Sequence, residues 1–130
     1  MVFLSSNSDN TLTRIIGITA VDISTTNGSY SDWGVLGLAY LNGRAGVVST
    51  HRIIDSETDV LSIARFRKTI THELGHTLGL SHCSDRHCVM QDYKGTVKTL
   101  DASNGDYCHE CVKFLRSHSL ISILFRALAD

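Results

Sequence analysis

Between His72 and His82 the chain reads H-E-L-G-H-T-L-G-L-S-H. His72 and His76 are four residues apart, so on a helix they share one face, one turn from each other. Two imidazoles at that separation can reach one metal ion. Glu73 stands beside the first of them, placed to touch a water at the metal without ligating the metal itself, which is the zinc metallopeptidase arrangement. Those five residues alone carry little weight, because helices often bear His and Glu for solvation. The residues after His76 carry more. Gly79 can take a positive φ, stop the helix and turn the chain sharply. His82 then arrives six residues after His76 as a third ligand from outside the helix. Three histidines leave one tetrahedral position for water, the mark of a catalytic rather than a structural zinc.

The four cysteines form a Cys-x4-Cys pair, Cys83 and Cys88, and a Cys-x2-Cys pair, Cys108 and Cys111, separated by 19 residues. Two close pairs joined by a loop can close a tetrahedral four-thiolate site, which would be a second, structural zinc. At a helix start, the Cys108 and Cys111 thiolates would also be favoured by backbone N–H groups. Two disulfides are the plain alternative, and they require an oxidising compartment. The opening Met1-Val2-Phe3-Leu4 passes at once into Ser-Ser-Asn-Ser-Asp, without the basic and long apolar parts of a secretory signal. A cytoplasmic location is therefore expected. A redox pair in Cys108-His109-Glu110-Cys111 is the other alternative, but no thioredoxin-like βαβ pattern precedes it.

The 130 residues are enough for one core, and 42% hydrophobic with 19% charged residues indicates a globular domain. Lys plus Arg is 12 and Asp plus Glu is 13, a net charge of −1. That leaves no electrostatic footprint for nucleic acid, and no apolar run approaches the roughly 18 residues of a membrane span. Neither partner is expected.

The elements that must position these residues are legible in outline. Arg14 to Ile23 is β-branched and reads as a buried strand, followed by a polar loop from Ser24 to Asp32. Gly34 to Leu41 is a second apolar strand. Asn42-Gly43 signals a hairpin, and Ala45 to Ile53 reads as its returning strand. Ser56-Glu57-Thr58-Asp59 offers N-cap residues for a helix whose apolar stripe is Val60, Ile63, Phe66, Ile70, Leu74 and Leu78. From Ser81 to Asp106 no periodicity is clear. A last helix begins at Cys108, with Val112, Leu115, Ile121, Leu124 and Leu128 among its apolar positions. The expected fold is α+β, a small twisted mixed β-sheet packed on a zinc-binding helix. Residues 1–130 form one domain, with a loose lead-in over 1–12, sheet and active-site helix over 13–82, and a zinc-stapled loop and helix over 83–130.

The run H-E-L-G-H-T-L-G-L-S-H-C, then Cys88-Val89-Met90, then C-H-E-C after seventeen residues, resembles the archaemetzincin signature within the metzincin clan of zinc peptidases. The resemblance extends from about Arg14 to Leu115. It implies a peptidase with two zinc ions: a catalytic one on His72, His76 and His82, with Glu73 as general base, and a structural one on Cys83, Cys88, Cys108 and Cys111. Met90 would be the Met-turn methionine beneath the histidines. In that clan an edge strand ahead of the zinc helix pairs with bound peptide. Here Gly34 to Leu41 resembles it, with Gly37, Leu38 and Ala39 as the pairing residues; a buried central strand is the alternative. Tyr93, shortly after Met90, is a conceivable second oxyanion donor, although tyrosines usually pack. The clan's fold normally begins with a further strand and a long backing helix, which the twelve lead-in residues here cannot supply. The resemblance thus implies either an N-terminally truncated form or a partner chain that covers the sheet or the apolar Leu120–Phe125 stretch. A catalytically inactive, zinc-stabilised peptide- or protein-binding module is the competing function.

Overall fold

The computed structural model describes residues 14–55 and 59–118. Five strands precede three helices: β1 (Ile15–Thr19), β2 (Ile23–Asn27), β3 (Tyr30–Val35), β4 (Gly37–Ala39), β5 (Ala45–Ser49), α1 (Val60–Thr77), α2 (Val97–Ala102) and α3 (His109–His118). β5 is the middle of a three-stranded mixed sheet, parallel to β1 and antiparallel to β4. β4 is therefore an edge of that sheet, with Gly37 opposite Val48 and Ala39 opposite Gly46. The expected Asn42-Gly43 hairpin joins β4 to β5, with Asn42 in the left-handed region at φ 53°. The Asn42 amide also donates to the His76 carbonyl at 2.8 Å, docking this turn on the end of α1.

Three expectations change. The strand read over Arg14 to Ile23 breaks at Ala20–Asp22, and its halves, β1 and β2, enter different sheets. The polar loop over Ser24 to Asp32 is instead most of a β2–β3 hairpin, turning at Gly28 with φ 59°. Its turn residues are Gly28 and Ser29, between the paired Asn27 and Tyr30; the flanking Ser and Thr residues hid it, because this small ribbon is solvated and needs no apolar run. The apolar stretch from Gly34 to Leu41 is divided at Leu36, whose carbonyl accepts the Ser49 amide at 2.9 Å, between the end of β3 and β4.

Asp59 caps α1, its carboxylate accepting the Ser62 amide at 3.0 Å. Ser56, Glu57 and Thr58 lie outside the described residues, as do the lead-in over 1–12 and the apolar positions from Leu120 to Leu128. The stripe along α1 is buried only in part. Phe66 and Ile70 pack on the core, but Val60 and Ile63 are 80% and 48% exposed. The buried face instead carries Ser62, Arg65, Thr69, His72 and Glu73. Polar groups are tolerated there when they find partners. Arg65 makes a bidentate pair with Asp101 of α2 at 2.8 and 2.7 Å, and Thr69 donates to the Arg65 carbonyl at 2.9 Å. The short helix α2, inside the stretch that showed no periodicity, is held by this pair and by Lys68, whose ammonium donates to the Leu100 and Ser103 carbonyls.

Two apolar clusters result. One gathers Leu36, Val48, Ile53, Tyr93 and Leu100 between the sheet, α1 and α2. The other is Leu80, Cys88, Val89, Met90 and Cys111, where the chain after α1 meets α3. Two of its five residues are cysteines, and Cys83 and Cys108 pack against it together with Tyr107, Phe114 and Leu115. Among the described residues no helix is long and apolar enough to cross a membrane.

Candidate metal and catalytic site

Leu80, Gly79 and the last turn of α1 set the geometry of the first centre. Gly79 has φ 98°, its amide donates to the His76 carbonyl at 3.0 Å, and the Leu80 amide donates to the Gly75 carbonyl at 2.9 Å. This is a Schellman motif, and it ends the helix where expected. The chain that it turns back places the Leu80 carbonyl 2.7 Å from His76 Nδ1. His72 Nδ1 lies 2.7 Å from the Val89 carbonyl. A carbonyl can only accept, so both Nδ1 atoms carry the proton and both Nε2 atoms present lone pairs.

Those two Nε2 atoms face each other at 3.0 Å. Two lone pairs at that distance repel unless a cation lies between them, and a tetrahedral zinc with Zn–N of about 2.0–2.1 Å calls for a similar separation. His82 completes the group, its ring centroid 4.9 Å from that of His76, and one ligand nitrogen from each histidine lies within 4.8 Å of the others. Burial lowers the pKa of His72 to about 3 and lowers that of His76, so these rings stay neutral and available as ligands. His82 is the exposed member. Its Nδ1 is 3.9 Å from an Asp92 carboxylate oxygen.

Glu73 is 4% exposed, and burial pushes its carboxyl up to about 8. It lines a cleft of about 360 Å³ together with His72, His76, His82, Asp92, Tyr93 and the edge strand Gly37–Ala39. β4 approaches so closely that a Cβ on Gly37 would lie 2.5 Å from Glu73 Oε1. Thr25, Thr26, Asn27 and Trp33 of the β2–β3 hairpin line the same cleft. Reading Ser24 to Asp32 as a loop missed Thr25, Thr26 and Asn27; Gly28, which makes the turn, was the signal that could have found them. The carbonyls of Leu80 and Val89 were equally invisible, because a backbone oxygen has no signature in the side-chain pattern.

Met90 is fully buried in a turn closed by the Gln91 amide on the Cys88 carbonyl. Its sulfur occupies the space that a side chain on Gly75 would need, directly under the H-E-L-G-H segment. The four cysteines also converge, with Sγ atoms 3.6 Å apart for Cys83 and Cys108 and 3.7 Å apart for Cys88 and Cys111. All four are free. A tetrahedral Zn–S distance of about 2.3 Å implies sulfur–sulfur distances of about 3.8 Å, so the set fits a four-thiolate zinc. The expected help from the helix start is uneven. Burial opposes ionisation of Cys108, but the Cys111 amide and neighbouring thiols hold its pKa low, whereas burial drives Cys111 above the ordinary thiol range.

The metal-free protein should show these shifts in its stability. The unfolded Glu73 carboxyl loses its proton near 4.5 and the folded one near 8, so folding becomes less favourable as pH rises through that window. His72 acts in the opposite sense: from about 3 to 6.5 the unfolded chain binds the proton that the fold excludes, and stability rises with pH. Metal-free protein should therefore be most stable between about pH 4.5 and 6.5. Thermal melts of the Glu73→Gln variant should show a gain over the parent at pH 8 that is absent at pH 4. An equal gain at both would contradict the buried carboxyl.

Residues 3–117 match the family model of peptidase family M54. The archaemetzincin of Haloquadratum walsbyi is 39% identical over 108 residues, covering 77% of this chain and 60% of that protein. Among solved structures, archaemetzincin from Methanopyrus kandleri superposes with a TM-score of 0.72 at 33% identity, over 86% of this chain and 59% of its own. A zinc-dependent peptidase from Methanocorpusculum labreanum superposes with a TM-score of 0.67 at 29% identity, over 78% and 53%. The chain thus spans between half and two thirds of the length of these relatives. With a family model covering nearly its whole length and relatives of the same α+β fold, the chain belongs to peptidase family M54, the archaemetzincin family.

Proposed function

We propose that this chain is a zinc-dependent peptidase, with a catalytic zinc on His72, His76 and His82 and a structural zinc on Cys83, Cys88, Cys108 and Cys111. The observation that carries the reading is the pair of opposed Nε2 lone pairs 3.0 Å apart beside a buried carboxyl, at the floor of an open cleft. A zinc ion there would act as a Lewis acid toward water and a substrate carbonyl. Glu73 is the general base: its carboxylate accepts a proton from the attacking water and returns it to the leaving amine. Burial suits this role, because it brings the carboxyl's pKa close to the working range of proton transfer. Met90 supplies an apolar floor under the histidines.

Peptide substrate lies extended along β4, taking main-chain hydrogen bonds from Gly37, Leu38 and Ala39. The position of β4 at the sheet edge, within the lining of the same cleft, supports this over a buried central strand. Gly37 is where substrate strand and base meet, so Gly37→Ala should push the Glu73 carboxylate aside. Peptide turnover is expected to fall about 100-fold with zinc content intact, the scale that a misplacement near 1 Å produces. Unchanged turnover in this variant would refute the placement of Glu73.

Metal analysis combined with a generic peptide library tests the whole reading. Two zinc ions per chain with turnover support it. Zinc without turnover on any peptide would make the chain a zinc-stabilised binding module. Four thiols held apart rather than joined in pairs support a reducing compartment such as the cytoplasm. The exposed Ile15, Leu38, Tyr40 and Leu41 on and beside the sheet support its being covered by a further segment or partner chain.

A further inference from the structure

One backbone oxygen at the metal centre has two donors. The Val89 carbonyl receives His72 Nδ1–H at 2.7 Å and the Tyr93 hydroxyl at 2.5 Å. All three residues are buried, Val89 completely, His72 at 4% and Tyr93 at 5% exposure. The same peptide is held from its other side, since the Val89 amide donates to the Asp106 carbonyl at 2.9 Å. Tyr93 belongs to the apolar cluster under the sheet, with Leu36, Val48, Ile53 and Leu100, while Val89 belongs to the one beside α3. Their hydrogen bond therefore ties the sheet's core to the turn that carries the carbonyl. The tyrosine ring also lies 4.5 Å from the His72 ring.

From this geometry we propose that Tyr93 is a positioning residue for the histidine centre: its hydroxyl locks the Val89 carbonyl, and that carbonyl fixes the orientation and tautomer of His72. The carbonyl has two lone pairs and both are used, so the oxygen cannot swing away from the imidazole without breaking a short hydrogen bond. Held there, His72 keeps its proton on Nδ1 and its Nε2 lone pair aimed at the shared point with His76 and His82. Outer partners of this kind set the basicity and aim of a ligand, and their loss typically costs 10–100-fold in metal affinity. The oxyanion role becomes the competing one. A phenol has a single proton, and this one is already given to Val89.

The proposal rests on the histidine zinc site proposed above, and the experiment keeps the two apart. Tyr93→Phe removes one oxygen and retains the ring contacts with the core and with His72. Competition with a chromophoric chelator should show zinc affinity at the histidine site falling about tenfold or more, while the four-cysteine zinc is unaffected. In the metal-free protein, nitrogen-resolved NMR should show the His72 Nδ1 proton shifting or exchanging faster in the variant. Equal affinity and an unchanged Nδ1 proton would overturn the proposal, and if turnover then fell alone, Tyr93 would be a donor to substrate. A parent that binds no zinc at the histidines would overturn the metal site itself, and this proposal with it, whatever the variant does.

Discussion

Replacing Glu73 by glutamine should lower peptide turnover by about 10²–10⁴-fold, the range that a positioned general base contributes, without changing zinc content. Glutamine has the same shape and still offers an oxygen to water, but it cannot hold the proton. The side chain is 4% exposed, and burial alone raises its pKa to about 8, so the neutral amide sits more comfortably there than a carboxylate would. The variant should therefore fold at least as well as the parent at neutral pH. Glu73 is not part of the histidine group proposed to hold the metal, so zinc binding should survive. Single-turnover assays on a cleaved peptide, paired with metal analysis of the same sample, read both halves of the expectation. Full turnover with full zinc would remove Glu73 from the mechanism. Loss of zinc would make it a ligand or a fold determinant instead.

Loss of one cysteine ligand should have the largest effect on the fold, and it should reach the histidines. Cys88 is 1% exposed, its sulfur 3.7 Å from Cys111 Sγ and receiving the amides of Met90 and Cys108 at 3.4 and 3.3 Å. Structural zinc contributes about 10–16 kcal/mol of apparent binding free energy in small zinc-folded peptides, against a total stability of about 5–15 kcal/mol for an ordinary domain. The apolar cluster of Leu80, Val89 and Met90 is built around these sulfurs, with Tyr107, Phe114 and Leu115 packed against it. Cys88→Ser should thus lose one zinc equivalent and give a broad, lowered thermal transition. The two centres also share chain: His82 adjoins Cys83, and Val89, which orients His72, adjoins Cys88. Zinc affinity at the histidine site should fall about tenfold or more as well. A variant that lost one zinc but kept both the parent melting curve and the parent histidine-site affinity would show that the centres are independent.

The same two segments mark the limit of what pattern can reveal. The candidate ligand residues are legible in one dimension because their spacing is local: one helical turn separates His72 from His76, and the close spacing of Cys108 and Cys111 brings them together at the start of α3. The Gly79 stop is local too, since only the backbone of residues 75–80 is needed to close the Schellman turn. The Asn42-Gly43 hairpin and its antiparallel strands are legible for the same reason. Where the pattern misled, the deciding interaction came from far along the chain. Arg65 is buried on α1 because Asp101, thirty-six residues later, completes its guanidinium pair; periodicity alone would put an arginine in water and Ile63 inside. The β2–β3 hairpin looked like a loop because two solvated strands carry no apolar alternation to detect.

By itself, then, the amino-acid sequence determined which groups are candidates for metal binding, three imidazoles and four thiols, with one carboxyl beside them, in an order and spacing that short-range geometry converts into two clusters. Only the tertiary structure decided what state those atoms are in. The carbonyls of Leu80 and Val89 choose the tautomer that leaves each Nε2 bare, and burial under β4 raises the Glu73 carboxyl to about 8. The side-chain-free face of Gly37 lets the edge strand lie against that carboxyl. The reason is physical: tautomer, protonation and approach depend on backbone oxygens and excluded water, and neither belongs to any residue's identity.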